Sequence, residues 1–207
     1  RAMKVREISE KFYRVNNSKK TEILCHFIKE EDWYQALIFV RTKYGADNLV
    51  RRIRRSGLEA VALHGNKSQS QRRKAIEDFR RNKVHLLVAT DIAARGIDVE
   101  GLSHVVNYNL PAVPEDYVHR VGRTGRAGNK GIAISLVSAE EKKLLADIEK
   151  FAGFKTTYCE LPSSHSEASI SKTVGQKSKE KNVPKSSLSK RSAKRKSRRR
   201  KAKEAGG

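Results

Sequence analysis

His119, Arg120, Arg123 and Arg126 fall within one ten-residue run, Tyr117-Val-His-Arg-Val-Gly-Arg-Thr-Gly-Arg126. Arginine keeps its proton at any physiological pH and presents a planar fork of donors that fits phosphate oxygens. Pro114 suits the first turn of a helix, where a missing N–H is harmless, and Glu115 and Asp116 suit the positive end of its dipole. Gly122 and Gly125 then stop that helix, leaving Arg120 and Arg123 three apart on one face and Arg126 on a glycine-flanked loop. The pattern reads as a surface built to meet polyphosphate, with a solvated basic helix end as the plain alternative.

The elements that must position this run follow from hydrophobic period. Strands are predicted at Glu10–Val15, Ala36–Val40, Ala60–Leu63, His85–Ala89, His104–Tyr108 and Ile132–Val137, and helices at about Lys19–Lys29, Lys43–Ser56, Gln69–Arg81, Pro114–Val121 and Ala139–Phe151. Leu37–Val40, Leu86–Thr90 and His104–Tyr108 are almost unbroken apolar runs, as strands covered on both faces are. An α/β fold follows, a mostly parallel twisted sheet with helices on both faces. Ligands on such sheets gather at the carboxyl ends of the strands, which puts Arg41–Lys43, His64–Gly65, Thr90–Asp91 and Asn109 on one rim.

The 207 residues give room for one ordinary α/β domain, placed at 1–162, and an appendage at 163–207. The appendage carries 15 Lys/Arg against 3 Asp/Glu and almost no large apolar side chain, so it is expected to be disordered. Lys190–Lys203 would act as a block of charge whose hold on a polyanion weakens steeply with salt; a solubility tail or localisation signal is the alternative. A net charge of +22 favours nucleic acid as partner, and the lack of any 18-residue apolar run argues against a membrane. Cys25 and Cys159 lie far apart without metal-ligand spacing, so reduced thiols and no metal are expected. No secretory or transit segment opens the sequence, pointing to a cytosolic or nuclear place of work, and Arg1 in place of a methionine suggests a piece of something longer.

Ile38-Phe-Val-Arg-Thr-Lys43, His64-Gly-Asn-Lys-Ser-Gln-Ser-Gln-Arg72, Ala89-Thr-Asp-Ile-Ala-Ala-Arg-Gly-Ile-Asp98 and His119-Arg-Val-Gly-Arg-Thr-Gly-Arg126 occur in that order, each at a predicted strand or helix end. Together they resemble the second RecA-like domain of DEAD-box ATP-dependent RNA helicases, over about residues 1–160, and within that family the bacterial RhlE type. Ser68 is placed to cap a helix whose first turns carry Gln69 and Arg72, an arrangement that holds phosphate without reading bases. The resemblance implies that Arg41, Thr42, Gly65, Gln69, Arg72 and Thr90 grip the backbone of single-stranded or locally unwound RNA. It implies that Gly96 and Asp98 meet the ATP ribose, that Arg123 and Arg126 are arginine fingers, and that His119, Arg120 and Asp91 couple the nucleotide and RNA sites. Without it, Gln69 and Arg72 read as an exposed helix face, Thr90 as a cap, Asp98 as a turn former and His119 as an ordinary helix histidine.

The 207 residues contain no GxxxxGK[ST] loop, no Asp-Glu-Ala-Asp box and no Ser-Ala-Thr segment. Phosphate cradling and magnesium binding need such parts, so the chain alone is expected to be inactive, with ATP as the cofactor and its Mg held by an N-terminal RecA-like domain. The chain is expected to be monomeric and cytoplasmic if bacterial, nuclear or nucleolar if eukaryotic. A stand-alone RNA-binding or interaction module without ATPase activity is the competing reading, and a DNA helicase half a more distant one.

Overall fold

A computed structural model of the chain describes residues 8–95, 97, 99, 101–125 and 130–162. Its strands are β1 (Ile8–Arg14), β2 (Ala36–Phe39), β3 (Ala60–Leu63), β4 (Leu86–Ala89), β5 (His104–Asn107), β6 (Gly131–Val137) and β7 (Tyr158–Cys159). The helices are α1 (Lys20–Glu30), α2 (Lys43–Arg55), α3 (Gln69–Arg80), α4 (Asp91–Ala94), α5 (Pro114–Val121) and α6 (Lys142–Ala152). The strands form one sheet of seven in the order β3-β4-β2-β5-β6-β1-β7, with every pairing parallel, as the unbroken apolar runs require.

Alternation along each strand divides the core into two layers. Ile38, Val88, Val106 and Ile134 face α1 and α2 through Leu24, Phe27, Leu49 and Ile53. Leu37, Phe39, Leu87 and Val105 face α3 and α4 through Phe79, Ala75 and Ala93, and Phe12, Ala133 and Val137 continue that face under α5 and α6. Parallel pairing puts all the carboxyl ends on one side, so the rim expected from the sequence is a consequence of the sheet itself.

The departures from the predicted elements are short and local. Strand β1 includes Ile8 and Ser9, ahead of the predicted start at Glu10, because Ile8 pairs with Gly131, a tertiary contact that the polar Ser9 conceals in the sequence. The two-residue β7 forms only beside Phe12 and Tyr13, and the four-residue α4 is too brief to show a period. Helix α6 starts at Lys142, after a tight turn at Ala139–Glu141 closed by reciprocal capping between Ser138 and Glu141. No helix among the described residues is long and apolar enough to cross a membrane.

His104, buried at the start of β5, stacks on Trp33 with ring centroids 4.3 Å apart. Burial lowers its pKa to about 4, with Glu31 opposing and Lys11 assisting. The unfolded chain therefore binds more protons between pH 6.5 and 4, and stability should fall as the pH drops through that window. A loss on the order of 1–3 kcal/mol between pH 7 and 4 is expected from this group. Urea melts of wild type and His104→Phe over that range check it, since the variant should lose part of the acid dependence.

Candidate nucleotide and RNA interface

Each rim residue is placed by the end of the element before it. Thr42 caps α2, its Oγ1 accepting from the Gly45 N–H at 3.0 Å, so the side chain is held at the mouth of β2 beside Arg41. The Arg41 N–H donates to Asn109 Oδ1 at 3.2 Å, tying the β2 and β5 ends together. At α3, Ser68 and Gln71 form a full capping box, with Ser68 Oγ accepting from the Gln71 N–H and Gln71 Oε1 accepting from the Ser68 N–H. That cap sets Gln69 out to solvent and Arg72 half-buried, with Arg72 Nε buried and lacking a hydrogen-bond partner.

The loop before α3 is pinned from behind. Buried His64 accepts the Asn66 N–H at Nδ1 and meets Asp47 Oδ2 through Nε2 at 3.0 Å, while Lys67 pairs with the other Asp47 oxygen at 2.9 Å. Partial burial opposes ionisation of Asp47, but the Lys67 and His64 hydrogen bonds outweigh it and hold that carboxyl below its usual range. Gly65 then sits exposed between two anchored neighbours, with open space where a Cβ would stand. Thr90 occupies the N-cap position of α4, yet its side chain makes no capping bond.

Arg120 is the centre of the arrangement and is only 2 % exposed. Its Nε and Nη2 donate to the two carboxylate oxygens of Asp91 at 2.6 and 2.7 Å, and Nη1 donates to Asn107 Oδ1 at 3.0 Å and to the Asn109 carbonyl at 2.7 Å. The guanidinium lies 4.8 Å from the centre of the Phe39 ring. The sequence places Arg120 with Arg123 on a phosphate-facing surface; instead α5 turns Arg120 inward, because Tyr117 and Val121 on the same side enter the core. Asp116 on the first turn of α5 holds Arg95 at 2.5 Å, and exposed His119 lies 3.9 Å from the same Asp116 oxygen. Arg123 Nη1 donates to the Ile97 carbonyl at 3.2 Å at the edge of a cleft lined by Asp91, Arg95, Asp116 and His119.

The loop after α5 is locked to the sheet. Thr124 is buried, its hydroxyl donates to the Leu102 carbonyl, and the Leu102 N–H returns to the Arg123 carbonyl at 3.3 Å. A Cβ at Gly131 would come within 2.2 Å of the Gly125 nitrogen, so only glycine lets β6 start this close to the loop. The helicase conserved C-terminal domain family matches residues 19–128, which is more than half of the chain and contains every part of this rim. The chain belongs to that family.

This helicase C-terminal domain is similar to DEAD-box proteins in both sequence and shape. It is 39 % identical over 158 residues to the ATP-dependent RNA helicase RhlB of Pseudomonas syringae pv. tomato, covering 76 % of this chain and 40 % of that protein. Escherichia coli SrmB, solved with regulator of ribonuclease activity A, superposes with a TM-score of 0.70 at 35 % identity, over 77 % of this chain and 92 % of that one. Saccharomyces cerevisiae Dbp5 bound to RNA and ADP BeF3 superposes at 0.67 with 36 % identity, over 74 % of this chain and 41 % of that one. The chain thus spans about two fifths of the length of RhlB.

Within the helicase domain the parallel sheet puts Arg41, Thr42, Gly65 and Thr90 after strand ends on one side, Gln69 and Arg72 stand in the first turn of α3, and Asp91 is joined to Arg120. Gly96, Asp98 and Arg126, together with the appendage at 163–207, lie outside the described residues. Three supporting features are invisible to motif reading. Asn107 is buried in β5, donating to Ser135 Oγ at 3.1 Å while accepting from Arg120. Arg95 pairs with Asp116, two residues that only folding brings together. Below the rim, buried Lys20 donates to Glu141 at 2.5 Å and to the Tyr108 carbonyl at 2.8 Å. Glu141 also accepts the Leu110 N–H at 3.0 Å and lies 3.5 Å from the Arg41 guanidinium, so one buried carboxylate steadies both the β5 loop and a rim arginine. Burial lowers the Lys20 pKa, and the Glu141 carboxylate opposes that shift.

Proposed function

We propose that the chain is the C-terminal helicase domain of an ATP-dependent RNA helicase, working with an N-terminal RecA-like domain, as a monomer, in the cytoplasm. The observation that carries the reading is the Arg120 bridge. One buried guanidinium joins Asp91 after β4 to Asn107 and Asn109 at the end of β5, three residues before Arg123. A contact made or lost at the β4 end is thereby felt at the β5 end and at the base of α5, which is what coupling of RNA and nucleotide events needs.

Arg41, Thr42, Gly65, Gln69, Arg72 and Thr90 are proposed to hold the RNA sugar-phosphate chain, contacts that position without reading sequence. The donor set suits an anion, with α3 presenting its N-terminus just after the exposed Gly65. Arg123 and Arg126 are proposed to face the transferred phosphoryl group, with Gly96 and Asp98 toward the ribose, and Asp91, His119 and Arg120 coupling the two sites. ATP with Mg, held mainly by the N-terminal domain, supplies the hydrolysable bond, and the guanidinium groups of this chain offset the negative charge that spreads over the phosphoryl oxygens. The pairing of RNA with a nucleotide analogue on Dbp5 supports this reading.

The test is reconstitution. The 207-residue chain alone should show no ATP hydrolysis above background, and adding it in trans to a RecA-like N-terminal helicase domain with single-stranded RNA should raise turnover at least tenfold over that domain with RNA. Absence of any gain would leave RNA binding without catalysis, the module reading.

A further inference from the structure

Tyr44 is an aromatic side chain on the rim that none of the roles above uses. It stands in the first turn of α2, two residues after the Thr42 cap, and is 69 % exposed, the most exposed tyrosine among the described residues. An isolated surface tyrosine is ordinary, but this one is hemmed by polar and cationic groups. Arg41 and Thr42 precede it in sequence, and Lys43 Nζ is tethered to Asn66 Oδ1 at 3.1 Å, which brings the Gly65–Asn66 loop alongside. The same Lys43 ammonium lies 5.4 Å from the centre of the Tyr44 ring. A flat π-surface with a cation beside it, next to donors aimed at phosphate, is how proteins hold an unstacked base while remaining indifferent to its identity.

We propose that Tyr44 is a base-stacking subsite: a nucleobase of the single strand whose phosphates run past Arg41, Thr42 and Gly65 lies on the Tyr44 ring. This deepens the RNA-binding reading and rests on it. The backbone contacts supply a sequence-independent electrostatic hold, whereas Tyr44 adds a contact that needs a base and releases no counterion. It therefore distinguishes a true polynucleotide from any other polyanion.

The experiment measures the affinity of the full 207-residue chain for a ten-nucleotide oligouridylate and for an abasic ribose-phosphate strand of the same length, at several salt concentrations. Tyr44→Ala should weaken oligouridylate binding about tenfold, change abasic-strand binding less than twofold and leave the salt slope unaltered. Tyr44→Trp should restore or exceed wild-type affinity for the oligouridylate. Arg41→Ala is the contrasting control, expected to weaken both strands alike and to reduce the slope by about 0.7. If Tyr44→Ala weakens both strands equally, or neither, the subsite is wrong although the RNA reading stands. A wild-type chain that binds neither strand removes both.

Discussion

Replacing Arg123 or Arg126 with alanine is expected to lower the turnover of the reconstituted helicase by about 10³-fold or more, with RNA affinity within twofold of wild type. The size follows from what an inserted guanidinium does, since it meets charge that exists only in the transition state and leaves ground-state binding nearly untouched. Lysine should not rescue either position, because an ammonium lacks the planar fork that spans two phosphoryl oxygens. For Arg123 the prediction has a structural basis in the anchored loop. Thr124 and Gly125 are clamped between Leu102 and β6, so the backbone carrying Arg123 is held before any nucleotide arrives. Single-turnover ATP hydrolysis beside RNA titrations separates the two quantities; a parallel loss of both would mean that these arginines bind RNA instead.

Arg120→Ala should destabilise the whole domain by about 3 kcal/mol, near the lower end of what breaking a buried ion pair costs. The truncation strands the Asp91 carboxylate, Asn107 Oδ1 and the Asn109 carbonyl together, and it opens a void against the Phe39 ring. For a domain of this size the melting temperature should drop by about 10 °C. Arg120→Lys should recover little, since one ammonium cannot span the Asp91 carboxylate and reach Asn107 and Asn109 as well. The contrast with Arg123 is the informative part. Two arginines three residues apart on one short helix end should fail in different ways, Arg120→Ala in thermal denaturation and Arg123→Ala in turnover with the fold intact. A normal melting curve for Arg120→Ala would dismantle the account of Arg120 as the joint between the β4 and β5 ends.

The architecture was legible in advance because its signals are local. Runs of apolar residues without alternation mark strands buried on both faces, and Ser68 announces a helix start as its cap, which the fold completes with a reciprocal bond from Gln71. Placing Arg41, Thr42, Gly65 and Thr90 at one rim needed only the parallel rule, because carboxyl ends of parallel strands lie on one side whatever the side chains are. What was not legible depended on pairings distant in sequence. Strand β7 exists only because Phe12 and Tyr13 offer it an edge. Lys20 looks like a surface residue in a polar helix start until Glu141, 121 residues away, closes over it.

For this protein the amino-acid sequence alone determined the family, the α/β layering and the residue types gathered at the strand ends, because composition, period and motif spacing act over a few residues at a time. Only the tertiary structure decided which of the clustered arginines is buried. Burial and partner geometry sort identical side chains, and these are properties of the packed chain. Arg120 is enclosed by Asp91, Asn107 and Asn109, whereas Arg123 is held at the cleft edge and Tyr44 is left open on the rim.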